Sequence, residues 1–155
     1  MANEATIDIS NHSLLYGGLR IRGYGPGTPL SVVYSNNTNQ VFSGVDGLAA
    51  FVKNGSLAAA IQIELMPNSI YNDVFSAAWN LDQITPGGVV VPINLRDKSG
   101  RTEYISRATK VEKLPDFSVG DGLNVRVWRL LVGKLRGFVG GVAIAPEHVP
   151  ELPTV

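Results

Sequence analysis

The stretch "PNSIYNDVFSAAWN" (Pro67–Asn80) decides the fold, because it is the one clearly helical run in a 155-residue chain otherwise patterned as strands and turns. Just before it, "LAAAIQIELM" (Leu57–Met66) alternates in its second half. Ile61, Ile63 and Leu65 point one way, Gln62 and Glu64 the other. A period of two marks a strand with one buried face. The chain then switches to a helix spanning about Asn68–Asn80, with Asn68 and Ser69 as candidate caps and Asp73 suited to the helix dipole. Ile70, Val74, Ala77, Ala78 and Leu81 form one apolar face, expected to seal the core. Tyr71, Phe75 and Trp79 form a second, aromatic stripe, which wants another partner within the domain or on a neighbour.

Working outward, short strands bounded by Gly, Pro, Asn and Asp continue on both sides. "TIDIS" (Thr6–Ser10), "LRIRG" (Leu19–Gly23) and "LSVVYS" (Leu30–Ser35) precede the helix, with "GYGPGTP" (Gly23–Pro29) as a turn-rich connector. "VFSGVDGLAAFV" places Asp46-Gly47 between two apolar arms, a strong hairpin signal. After the helix come "GGVVVPINLRD", the turn "DKSG" (Asp97–Gly100), and "RTEYISRATKVEK", whose imperfect alternation predicts a bulge. A loop, "LPDFSVGDG", leads to the strand "LNVRVWRLLVG" (Leu123–Gly133). The expected architecture is mainly β: a single antiparallel β-sandwich or barrel domain over 1–155 with one short inserted helix. Extended arms are expected at 1–12 and over the Pro-rich 146–155, where proline removes backbone donors.

Composition narrows function. Lys plus Arg and Asp plus Glu both number 13, so the formal net charge is zero, against the basic excess of most phosphate-gripping proteins. Charged residues are 17% of the chain, below the roughly 25% of an average soluble domain, and hydrophobics reach 45%. A surface so poor in charge favours self-association, with a monomer built around a large core as the alternative. No cysteine is present, no signal peptide is visible in "MANEATIDIS", and no apolar run approaches the roughly 20 residues of a membrane span.

Catalytic chemistry has no signature. His12, in "SNHS", is expected in a loop, and His148 sits in the Pro-rich tail; neither has a second ligand at metal spacing. There is no G-x-S-x-G elbow, and "GYGPGTP" lacks the Lys-Ser/Thr of a phosphate loop. The cations from Arg96 to Lys113 are interleaved with Asp97, Glu103 and Glu112, as on a solvated face. No catalytic residue, metal or cofactor is expected.

In their order, "SGVDGLAAFVKNGSLAAAIQIELMPNSIYNDVFSAAW", "PINLRDKSGRTEYISRATKVEKLPDFSVGDG" and "VRVWRLLV" resemble a family of bacteriophage tail tube proteins, from about Val41 to Val132. The resemblance implies a virion structural protein, made in the host cytoplasm, whose hexameric rings stack into a hollow tube for double-stranded DNA. It implies as partners other copies of the chain, a sheath, a tape-measure protein, a baseplate and a tail terminator, without membrane insertion. The axial ring-to-ring contact is then expected in the loop and hairpin carrying Asn36, Asn37, Asn39, Val41, Phe42, Asp46, Leu48, Phe51 and Lys53, and the stripe of Tyr71, Phe75 and Trp79 is expected to face a ring neighbour or an enclosing sheath. Two other readings stay open: a tube initiator, baseplate or secretion-system ring protein of the same fold, and a carbohydrate-binding sandwich using Trp79, Trp128 and the tyrosines as a platform.

Overall fold

The computed structural model describes residues 12–141 apart from Ser99. The expected strand at Thr6–Ser10, most of the N-terminal arm and the C-terminal arm at 146–155 lie outside the described residues. His12 is not in a loop. It opens β1 (His12–Tyr16), opposite Asp97, with its Nε2 3.8 Å from the Asp97 carboxylate.

The strands are β2 (Leu19–Arg20), β3 (Leu30–Tyr34), β4 (Asn39–Ser43), β5 (Ala49–Lys53), β6 (Ala59–Leu65), β7 (Val91–Asp97), β8 (Glu103–Val111), β9 (Arg126–Val132) and β10 (Arg136–Phe138). Among the described residues one helix, α1 (Tyr71–Ile84), interrupts them. Eight strands form one antiparallel sheet in the order β2-β1-β7-β8-β9-β6-β3, with β10 also paired to β8; β4 and β5 pair only with each other. The expected antiparallel β fold with a single helix is the observed one.

Alternation builds the core. Ile61, Ile63 and Leu65 of β6 are buried opposite Leu130, Trp128 and Arg126 of β9, while Gln62 faces solvent. Leu14 and Tyr16 of β1, Ile93 and Leu95 of β7 and Val111 of β8 join the same cluster. The bulge expected in the strand after the turn falls within β8. Val91 faces Thr109 but Ile93 faces Ser106, so β8 carries one extra residue there.

β9 and β10 act as one interrupted strand. Thr109 lies opposite Val132 and Ile105 opposite Arg136, four residues further along each chain, so the register survives the break. The linking Leu135 is fully buried. Its N–H donates to the Leu57 carbonyl at 3.0 Å, and its own carbonyl accepts from the Tyr34 hydroxyl at 2.9 Å.

The helix starts later and ends later than expected. Ser69 precedes it and accepts a weak bond from the Tyr71 N–H at 3.4 Å. Asn72 does more. Its amide nitrogen donates to the Met66 and Ser69 carbonyls, both at 2.9 Å, and its oxygen accepts from the Trp128 indole N–H at 2.9 Å. That lock turns the aromatic stripe inward. Phe75 is fully buried, 5.0 Å from the Tyr16 ring and 5.4 Å from that of Trp128. Tyr71, Val74, Ala78 and Trp79 pack beside it. The expectation that Tyr71, Phe75 and Trp79 face a neighbour is therefore corrected for Phe75, and Tyr71 and Trp79 are half-buried against the core. The face expected to seal the core is split. Val74 and Ala78 pack inward, while Ile70, Ala77 and Leu81 are exposed together with Ile84.

At the helix exit, the Asp82 carboxylate accepts from the Val89 N–H at 2.7 Å and pairs with Lys110 at 3.2 Å. Gly88 sits at φ +77°, and a Cβ there would collide with both charged groups. The Val89 N–H, then Lys110, hold the Asp82 carboxyl below its ordinary range.

Two outcomes follow. Phe75→Ala should cost about 3–5 kcal/mol in chemical denaturation, whereas Ile84→Ser should change it by less than about 0.5 kcal/mol. Because the Asp82 value is depressed by folding, its stabilisation is present above the ordinary carboxylate range and is lost as pH falls through the folded value. Melting scans should therefore show wild type and Asp82→Asn converging in acid and separating near neutrality, with wild type the more stable.

Candidate assembly surface

The hairpin is built by local rules. Asn39 faces Lys53, Val41 faces Phe51 and Phe42 faces Ala50. Asp46 closes the turn by accepting from the Leu48 N–H at 3.2 Å, and Gly47 occupies φ +85°, a conformation that L side chains rarely adopt. The Gly44 and Leu48 backbones meet at 2.6 Å. At the base, the Asn54 N–H donates to the Thr38 carbonyl at 2.7 Å, and Asn36 reaches the Ser56 hydroxyl at 3.3 Å. Asn37 is exposed in the turn before β4.

The nine residues singled out from the sequence thus gather on one ribbon and its base. Every residue of β4 and β5 is exposed. Strand alternation places Val41 and Phe51 on one side of this ribbon, and Phe42, Ala50 and Val52 on the other. Phe51 is 85% exposed and Phe42 57%. An isolated two-stranded hairpin is marginal in water, and apolar groups on both sides stay about half exposed or more within the protomer.

A second exposed apolar segment went unnoticed in the sequence. Between β8 and β9, Leu114, Phe117, Val119 and Leu123 are all exposed, with Phe117 at 78%. The guanidinium of Arg126 lies 5.1 Å from the Phe117 ring centroid and tethers the loop to the sheet. The Arg126 Nη1 is buried without a hydrogen-bond partner, as is the Tyr24 hydroxyl, and burial pushes that phenol up to about 12. The only available signal was compositional, since no long-range pattern separates an apolar loop from a short strand.

The outward side of the sheet is mostly polar along one row. Ser31 lies beside Gln62, and Gln62 lies opposite Arg129. Glu112 neutralises Arg129 through contacts of 3.1 and 3.2 Å to both its oxygens. Elsewhere Arg107, Lys134 and Arg136 line a groove of about 510 Å³ with Ile105, Ser106 and Ala108.

The two tryptophans do not form the aromatic platform considered for carbohydrate. Trp128 is buried with its N–H engaged by Asn72, and Trp79 packs against the core. Among the described residues no group of three or more His, Asp or Glu side chains is arranged to hold a metal, and no helix is long and apolar enough to cross a membrane.

No protein-family model matches the chain, and no curated protein matches it in sequence. Among solved structures, the chain is similar in fold to the sheath/tube terminator of an extracellular contractile injection system (PVC), determined by cryo-electron microscopy in its extended state. The TM-score is 0.52 at 14% identity, over 89% of this chain and all of that one.

Proposed function

We propose that this protein is a non-enzymatic structural subunit of a contractile tail, and that its rings stack coaxially into the tube that conducts phage DNA. The observation that carries this reading is the free-standing β4–β5 ribbon, apolar on both sides and unburied by its own domain. Such a ribbon suits insertion between subunits of the adjoining ring, where both sides lose water together. Contacts between unlike surfaces close around an axis yet stay open along it, which generates a tube.

The neutral outward row of Ser31, Gln62 and the Arg129–Glu112 pair suits a wall past which a polyanion must slide without sticking. The exposed helix face of Ile70, Ala77, Leu81 and Ile84 replaces the aromatic stripe as the surface offered to a sheath or ring neighbour. The subunit is then a virion component, working with sheath, tape-measure, baseplate and terminator proteins.

A second reading is favoured by one finding, the fold shared with a sheath/tube terminator. On that reading the chain forms a single ring that ends the tube. Electron microscopy of purified protein across a concentration series separates the two. Long hollow tubes identify the tube subunit and discrete rings the terminator, while a chain that stays monomeric at every concentration overturns both. The double substitution Phe42→Ser with Phe51→Ser should raise the concentration needed for stacking by at least about tenfold. It should leave monomer stability within about 1 kcal/mol of wild type, because neither ring is part of the core.

A further inference from the structure

The groove lined by Arg107, Lys134 and Arg136 has a structural origin. The extra residue in β8 displaces Arg107 and Ala108 from the ladder, while the opposing link between β9 and β10 is pulled inward by the buried Leu135. Neither side can close the gap. The link is pinned by the Leu57 carbonyl and the Tyr34 hydroxyl, and the Ser106 hydroxyl lies 3.4 Å from both the Ala108 N–H and its carbonyl. The result is a cleft whose lining adds the apolar side chains of Ile105 and Ala108 to the three cations.

The charge around the cleft is one-sided. Among the described residues, no carboxylate lies within ion-pair distance of Arg107, Lys134 or Arg136, whereas Lys110 and Arg129 each have one. A chain of zero net charge that concentrates three unpaired cations in one place must carry unpaired anions elsewhere. Two of these, Asp116 and Asp121, lie in the β8–β9 loop, where neither makes an ion pair and no Lys or Arg occurs from Leu114 to Val125. That loop also exposes Phe117 and Val119, the latter 85% exposed. It is acidic and apolar where the cleft is basic and apolar.

We infer that the Leu114–Leu123 loop of one protomer docks in the Arg107–Lys134–Arg136 cleft of a second copy, forming the side-to-side contact of the ring. The inference rests on the ring-forming reading above and adds the circumferential interface to it. Two unlike surfaces of one chain meeting in this way form a heterologous contact, the kind a closed ring requires. Phe117 and Val119 would bury against Ile105 and Ala108, while Asp116 and Asp121 engage the cations at the rim, where complementary charge selects the partner and its register. The hairpin tip is the weaker occupant. It offers only Asp46, already accepting from the Leu48 N–H, and its base carries the opposing charge of Lys53.

Charge exchange tests the pairing. Arg107→Glu with Arg136→Glu reverses the cleft, and Asp116→Lys with Asp121→Lys reverses the loop. Each double variant alone should stay monomeric in sedimentation at concentrations at least about tenfold above wild-type assembly. An equimolar mixture of the two should assemble, because each variant's altered surface then matches the other's. Circular dichroism and melting curves matching wild type keep folding out of the comparison. Raising salt should weaken wild-type ring formation, since rim charges are screened.

Reversed variants that assemble normally, or a mixture that stays monomeric, overturn the pairing and leave the ring reading standing if wild type still assembles. Rescue of the reversed cleft by Asp46→Lys in place of the loop variant overturns it in favour of the hairpin. Loss of retention on a nucleic-acid column with assembly intact overturns it in favour of a phosphate backbone. A wild-type chain that never assembles removes both readings together.

Discussion

Everything else in the fold depends on one wedge, the Phe75 ring held between Tyr16 and Trp128. Tyr16 belongs to β1 and Trp128 to β9, strands separated in the ladder by β7 and β8. A flat sheet would hold those strands roughly 14 Å apart at the usual spacing. Contact of one side chain with both means the sheet wraps around the helix. Asn72 makes this possible by spending both ends of its amide. One end closes the turn that starts the helix, and the other fixes the Trp128 indole. A polar group buried in this way carries little net energy, but it selects one rotation of the helix over the others.

That rotation explains what could and could not be read from the residues alone. Strand identity was legible because Ile61–Leu65 alternates, Arg126–Val132 is a short run rich in β-formers, and Asp46-Gly47 has few uses besides a tight turn. The bulge in β8 was legible as a break in that alternation. The helix face was not. Residues 71, 74, 75, 78 and 79 follow one helical stripe, while 70, 74, 77, 78 and 81 follow another, and both are apolar. Contacts distant in sequence, such as the hydrogen bond between Asn72 and Trp128, 56 positions apart, select one stripe, and periodicity carries no record of them.

The candidate surfaces divide along the same line. The hairpin residues were recoverable because a local turn brings them together. The cleft and the loop were hidden for different reasons. Arg107 and Arg136 become neighbours through the continued register of β9 and β10, which only the tertiary ladder reveals. Leu114–Leu123 lacks a period of any kind, so its exposure is a property of the packed domain. In the sequence the cations from Arg96 to Lys113 resemble an ordinary solvated face, and some are: Lys110 is spoken for by Asp82.

The Leu135 splice also bears on how force would travel through the domain. By keeping β9 and β10 in one register, it makes them a single mechanical member beside β8, even though the chain leaves the ladder in between. Load applied at Arg136–Phe138 would be carried to Arg126–Val132 as shear across many backbone hydrogen bonds rather than by peeling them singly. A domain built this way resists pull along β9 and β10 as a strut, with the gap between them already braced from behind by Leu57 and Tyr34.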